Sequence, residues 1–216
     1  GNWDHAGAWA ATTGIRFTTV AERLKPDSLF RRFLAYRESL GMEVLPLTGG
    51  ADVSGTLAAR LKEGRVVALV ADRDLGAGGL TVDLLGKPAR FPAGPAVLAL
   101  RTGAPLLPVV SWYDARRTHL AILPELEPDR SLPFREGVQR LTQGFADVLG
   151  GALRQHPADW HMLQRVWVED LDGGVLAHLE LDARVEVFGV LADEHQVDVV
   201  IAAADADVAL ARADAG

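Results

Sequence analysis

The sequence predicts an α/β fold, with a mixed, largely buried central sheet flanked by helices. Three observations predict it. Segments with apolar residues at helical spacing alternate with short apolar runs bounded by glycine or proline. One of those runs, Val66–Ala71, is continuously apolar, as expected of a strand buried on both faces. Hydrophobic residues make up 49% of the 216, enough to bury a substantial core.

The elements follow in order. A small-residue helix runs from about His5 and stops at Gly14, and a strand covers Phe17–Ala21. Pro26-Asp27-Ser28 opens a helix that reaches about Leu40, with Gly41 as its stop. Met42–Leu47 reads as a strand, and Asp52–Lys62 as a helix closed by Gly64. The run Val66–Ala71 ends in Asp72-Arg73-Asp74 and a glycine-rich turn, Gly76-Ala77-Gly78-Gly79. Leu80–Leu85 is a further strand, and Pro92–Thr102 a loop feeding a helix. Leu106–Trp112 and His119–Leu123 are two more strands. A long helix then covers Phe134–Arg154, before a short Trp-rich segment, Asp159–Trp167.

Charge divides the chain at about residue 172. Residues 173–216 hold nine acids against Arg184 and Arg212, which equals the whole net charge of −7. The first 172 residues are neutral overall, which argues against general nucleic-acid binding, since that needs a basic footprint. The acidic tail contains one strand-like run, Val185–Leu191, and an Ala/Asp-rich stretch at 199–211, and is assigned no role. No run of about 18 apolar residues suits a bilayer span. The absence of cysteine excludes disulfides, thiolate metal sites and a Cys nucleophile.

Several groups of residues carry chemistry. Asp4 lies at the head of the first helix, where a carboxylate can orient a neighbouring imidazole and stabilise its protonated form. Capping that helix is the alternative use. Glu22 follows a strand and can accept hydrogen bonds from sugar hydroxyls. Arg37 can grip a phosphate through its planar fork, and a solvated salt bridge is the plainer reading of both residues. Asp72, Arg73 and Asp74 end a buried strand, where α/β folds place ligand groups. Read alone, Asp72 and Asp74 could hold a divalent metal on a nucleotide sugar. Gly94 and Pro95, within Pro92-Ala93-Gly94-Pro95-Ala96, form a turn into a helix N-terminus that can offer amide N–H groups to an anion or can simply punctuate the loop. The helix from Asp27 to Leu40 mixes Leu29, Phe30, Phe33, Leu34 and Tyr36 with Arg31, Arg32 and Arg37, which suits either an anionic bilayer surface or ordinary core packing.

Gly1-Asn2-Trp3-Asp4-His5-Ala6-Gly7 resembles the His-x-x-x-x-Asp motif region of the bacterial lipid A biosynthesis acyltransferase superfamily, in its phosphatidylinositol mannoside acyltransferase branch. Further matches follow in order across residues 1–172: Val20–Leu24, Tyr36–Met42, Ala71–Asp74, Pro92–Ala96, Thr102–Pro108 and Trp160–Gln164. One departure stands out. Leu84-Leu85-Gly86 replaces the two aromatics usual before that glycine, a change expected to alter packing more than chemistry. The motif's His would precede Gly1 by two positions and the chain has no initiating Met, so the sequence is expected to lack its N-terminal part and, as it stands, to be inactive.

The resemblance implies a glycerolipid acyltransferase-like domain over 1–172 that moves a fatty acyl group from acyl-CoA to a sugar hydroxyl. The acceptor it implies is a mannose of a phosphatidylinositol mannoside. Asp4 would be catalytic, and Glu22, Arg37, Asp72, Arg73, Asp74, Gly94 and Pro95 would line the substrate site. It further implies acyl-CoA as donor with no cofactor or metal, a membrane glycolipid acceptor, and peripheral attachment to the anionic cytoplasmic face of the plasma membrane. The rival readings are a metal-dependent Asp-x-Asp glycosyltransferase and a non-catalytic lipid-binding module.

Overall fold

The computed structural model describes residues 3–47, 52–74 and 79–171, together with the backbone of 198–202. The first half of the chain gives α1 (Trp3–Thr12), β1 (Phe17–Ala21), α2 (Asp27–Ser39), β2 (Glu43–Pro46), α3 (Val53–Lys62) and β3 (Val66–Val70). Then come β4 (Leu80–Leu84), β5 (Lys87–Phe91), α4 (Gly94–Thr102), β6 (Leu106–Tyr113), β7 (Thr118–Ile122) and α5 (Phe134–Gln155). A 3-10 turn at Pro157–Asp159, the short α6 (Val168–Leu171) and β8 (Asp198–Ala202) complete the described elements. The expected strand at Val185–Leu191 and most of the glycine-rich turn lie outside the described residues.

Six strands form one mixed sheet in the order β2-β1-β3-β8-β6-β7. β1 runs parallel to β2 and β3, β8 is antiparallel to β3 and β6, and β6 is antiparallel to β7. The tail, to which the sequence assigned no role, thus supplies the strand that joins the two halves of the sheet. Among the described residues no helix is long and apolar enough to cross a membrane.

Helices cover both faces. Against one face, Leu57 and Leu61 of α3 and Leu98 of α4 pack on Val67 and Leu69 of β3. α5 lies in the same layer, where Val138, Leu141, Phe145 and Leu149 meet the β4–β5 hairpin through Val82, Leu84 and Phe91. The other face is covered by α1 and α2, with Ala8, Ala10 and Leu34 on Phe17, Met42 and Val44. The apolar run at Val66–Ala71 is therefore not buried equally on both faces. Val67 is fully buried, whereas Val66, Ala68 and Val70 are only half-buried on the α1 side, because α1 carries mostly Ala and Gly there.

The β4–β5 hairpin was only half legible, since Leu85-Gly86 forms its turn with φ of +59° and +87°. Positive φ at both central residues is typical of tight hairpin turns, but Leu is a poor residue for it, so the usual Asn-Gly or Asp-Gly signal is missing. The turn presses on α5, where a Cβ added to Gly150 would sit 3.4 Å from Leu85 and 3.7 Å from Leu84. Gln143 ties the hairpin down from both ends of its amide, accepting from the Asp83 N–H at 2.8 Å and donating to its carbonyl at 2.9 Å.

At the β2 edge, Glu43 accepts hydrogen bonds from Arg60 (2.8 Å), Arg65 (3.0 Å) and Thr18 (2.6 Å). The Arg60 hydrogen bond is the main cause that holds its carboxyl at about 2, against an ordinary 4.5, with burial opposing the shift. A folded-state value below the unfolded one stabilises the fold fully above the unfolded pKa and loses that contribution as pH falls through the folded pKa. Glu43→Gln should therefore lower unfolding free energy at pH 7 by on the order of 1–2 kcal/mol, discounted for the solvent reaching these side chains. In urea melts the difference from the parent should shrink as pH is lowered from about 4.5 to about 2. A pH-independent difference would contradict the assignment.

Candidate active site

Asp4 lies in the first turn of α1. It meets Arg37, in the last turn of α2, through a two-point clamp with Nε to Oδ1 at 2.9 Å and Nη2 to Oδ2 at 3.2 Å. The two side chains are only 18% and 11% exposed, so solvent screens the pair far less than a surface bridge. Aromatic rings hold the guanidinium from the sides, with Trp3 at 4.4 Å and Phe33 at 5.6 Å from its central carbon. Trp3 is itself buried against Val109, Val70 and Leu120, which pins the start of α1 to the sheet.

The clamp changes the reading of Arg37. Its Nε–Nη2 edge, one of the two that can grip a phosphate bidentately, holds Asp4. A carboxylate can accept about four hydrogen bonds, so a two-point clamp does not exhaust Asp4 as an acceptor for a ring N–H.

Behind Asp4, α1 roofs an apolar cleft. Ala6, Gly7 and Ala10 form its roof, and Ala68, Val70 and Val109 its floor on the sheet. Its volume is only about 40 Å³, so a long acyl chain fits between α1 and the sheet only once α1 moves outward. No lining residues were chosen for this cleft from the sequence; the small-residue run His5–Ala11 is the signal that could have found its roof. Trp3 and Phe33, which seat Arg37, were likewise missed.

Glu22 is exposed, one residue beyond β1. Because β1 and β3 are parallel, Glu22 and Asp72 emerge on the same edge of the sheet. Asp72 is fully buried and accepts the Trp160 indole N–H at 3.1 Å, while Trp160 stands edge-on to Trp167. Arg73 is buried as well, and Asp74 accepts the Gly79 N–H at 2.8 Å. Asp72 and Asp74 thus each accept from a different protein donor, and no group of three or more potential metal ligands occurs among the described residues.

Gly94 and Pro95 do open α4 as expected, with Gly94 exposed and Pro95 buried. However, α4 belongs to the α3–α5 layer, on the face away from α1, so this turn is not brought into the Asp4–Arg37 group. On α2, Phe30 is buried and Leu34 joins the core. Its outward side shows Arg31, paired with Asp27 at 3.0 Å, together with Arg32 and an exposed Tyr36.

The sequence profile described as bacterial lipid A biosynthesis acyltransferase matches residues 1–169. A phosphatidylinositol mannoside acyltransferase of Mycolicibacterium smegmatis is 49% identical over 172 residues, covering 79% of this chain and 55% of that protein. One of the same name from Mycobacterium tuberculosis strain H37Rv is 48% identical over 180 residues, covering 83% and 55% respectively. The chain thus spans about half the length of the curated relatives it matches. With a profile match over most of its length and these identities, the chain belongs to the bacterial lipid A biosynthesis acyltransferase family.

Proposed function

We propose that the full-length protein transfers a fatty acyl group from acyl-CoA to a sugar hydroxyl of a membrane glycolipid, a mannose of a phosphatidylinositol mannoside. The observation that carries this reading is a clamped carboxylate, Asp4, at the head of the helix that roofs an apolar cleft. The relatives' shared name suggests the acceptor class.

A sugar hydroxyl is a poor nucleophile until a base takes its proton during attack. In the proposed reaction that base is a His two positions ahead of Gly1, whose ring N–H is held by Asp4. The deprotonating oxygen attacks the thioester carbonyl, and the carbonyl electrons move onto oxygen to give a tetrahedral oxyanion. Its collapse forms the ester and expels the CoA sulfur, which takes the proton back from the imidazolium. Arg37 fixes the Asp4 carboxylate throughout, so the charge that steadies the imidazolium is preorganised. Glu22, exposed at the sheet edge, accepts from acceptor hydroxyls, while the Asp72–Asp74 segment shapes that edge. The outward side of α2, with Arg31, Arg32 and Tyr36, suits peripheral contact with the anionic cytoplasmic leaflet that presents the acceptor.

The test is mass spectrometry of products from full-length protein given palmitoyl-CoA and a phosphatidylinositol mannoside. The expected product is the acceptor carrying one added acyl group, with free CoA released in equal amount. CoA release without an acylated acceptor would overturn the reading. A companion variant examines the cleft. Ala10→Phe puts a ring where the roof has a methyl, so kcat/KM for palmitoyl-CoA should fall at least about tenfold while acetyl-CoA turnover changes little, one lost methylene contact being worth about 1 kcal/mol. Equal losses for both donors would place the acyl chain elsewhere.

A further inference from the structure

Charge and exposed apolar surface gather at the edge of the sheet where Glu22 and Asp72 emerge. β3 and β6 are both antiparallel to β8, so the C-terminal end of β6 points to that same edge. Val70 and Val109 pair with the same residue, Val199, yet β3 stops at Val70 while β6 continues to Tyr113. The β6–β7 hairpin therefore projects past the end of β3.

Its tip is basic and firmly built. Asp114 spends its carboxylate on the hairpin itself. Oδ1 accepts the backbone N–H groups of Arg116 at 2.7 Å and Arg117 at 2.9 Å, and Oδ2 meets His119 Nε2 at 2.6 Å. Trp112 braces the stem, its ring stacked on His119 at 5.1 Å and on His156, at the end of α5, at 4.9 Å. Arg116 and Arg117 stand exposed at the turn, and their side chains form no ion pair among the described residues. Neighbouring like charges repel, so a fixed turn that presents two of them suits an anionic partner.

Large apolar side chains accompany these charges. Tyr113 is 37% exposed at the end of β6, and Leu47 is 40% exposed just past β2. Leu163 is 71% exposed three residues beyond Trp160, the residue that bonds to Asp72. Leu47 belongs to this edge because its N–H donates to the Ala21 carbonyl, at the end of β1, at 2.8 Å. Lys25, in the loop after β1, and Arg32, in the second turn of α2, add exposed cations leading away from it. The opposite edge is mixed in charge. There the Leu126 N–H donates to the Leu106 carbonyl at the start of β6, and Glu125, Glu127 and Glu136 stand among Arg130 and Arg135.

Cations together with exposed tyrosine and leucine side chains are what hold a protein in the headgroup layer of an anionic bilayer. The spread of the groups points the same way. β2 and β6 are four strand spacings apart, about 19 Å, which exceeds the reach of one small anion. We propose that this edge, with the β6–β7 hairpin tip at its front, is the surface that docks on an anionic lipid bilayer. Arg116 and Arg117 meet lipid phosphates, while Tyr113 and Leu163 lie at the level of the headgroups. Docking there sets Glu22 and the Asp72 segment against the membrane. The proposal extends the contact assigned above to α2, and it is independent of acyl transfer because binding alone reads it.

The test is co-sedimentation of the full-length protein with vesicles of phosphatidylcholine alone or with about one-third phosphatidylglycerol. Partitioning onto the anionic vesicles should be at least about tenfold stronger, and should fall steeply as salt is raised to about 0.5 M. Each basic side chain near such a surface strengthens binding roughly fivefold, so Arg116→Gln with Arg117→Gln should weaken it at least about tenfold. That double variant should keep the parent KM for acyl-CoA with a short-chain, water-soluble acceptor. Arg130→Gln with Arg135→Gln, at the opposite edge, should change partitioning by less than about twofold. A polarity-sensitive fluorophore on Ala115→Cys should shift to the blue on anionic vesicles, and one on Arg135→Cys should not. Unchanged partitioning of the folded Arg116 and Arg117 double variant would overturn the proposal, as would a label on Ala115→Cys that stays in water. Weaker acyl-CoA binding with normal partitioning would also overturn it, by assigning the two arginines to the donor's phosphates.

Discussion

Asp4→Asn in the full-length enzyme is expected to lower kcat by about 10²–10⁴-fold with little change in KM for either substrate, because loss of the orienting carboxylate removes imidazolium stabilisation and tautomer control at the transition state. The substitution is nearly isosteric. An Asn carbonyl can still accept one of the two hydrogen bonds that Arg37 now gives, so the helix pairing should survive in part. The charge does not survive, and charge is what the protonated imidazole needs. The measurement is steady-state kinetics on both substrates, with Tm as a control for folding. Wild-type kcat in a folded Asp4→Asn variant would remove Asp4 from the chemistry.

Arg37→Met should be the second large effect, and it separates two roles for that residue. Methionine keeps an apolar stem beside Trp3 and Phe33 while deleting both hydrogen bonds to Asp4. Breaking a buried ion pair by removing one partner costs about 3–5 kcal/mol, and this pair is slightly exposed, so about 2–3 kcal/mol of stability should be lost. The carboxylate left behind loses its fixed direction, and kcat should fall about 10–100-fold. Arg37→Lys restores the charge but not the two-point geometry and should recover only part of the rate. If Arg37 instead gripped the acceptor phosphate, the main effect would be a raised KM for the glycolipid with kcat retained. The split between kcat and KM therefore decides between the clamp and the phosphate grip.

Most of the fold was legible because its punctuation is local. Gly14, Gly41 and Gly64 all adopt positive φ just after α1, α2 and α3, where the sequence placed their stops. Asp52 accepts the Gly55 N–H as the cap of α3, as its residue type suggests. β5 was missed because its turn uses Leu85, a residue type that carries no turn signal. β8 was missed for another reason. Val199-Val200-Ile201 is a short β-branched run like that of β3, but it was read as part of the Ala/Asp-rich stretch, and its pairing with β3 and β6, some hundred residues earlier, is not visible locally.

The site was legible in its parts but not in its pairing. Asp4 and Arg37 were each picked out, yet their 33-residue separation gave no hint that they clasp each other. Asp72 was picked out for its place at a strand end, while its partner Trp160 lies 88 residues away in a segment recognised only as Trp-rich. Gly94 and Pro95 show the opposite failure. Their local chemistry was read correctly as a helix start, but which face of the sheet that helix covers depends on packing with α5.

The whole scheme requires that the acyl chain and the reacting carbonyl share the α1 side of the sheet. The most direct measurement is a crystal structure of the full-length enzyme with a thioether analogue of palmitoyl-CoA, which cannot be turned over. The alkyl chain is predicted to enter between α1 and the sheet, touching Ala6, Ala10 and Ala68, with its first carbons beside an imidazole bonded to Asp4. A chain seated on the α5 side, with no imidazole in reach of the Asp4 carboxylate, would contradict it.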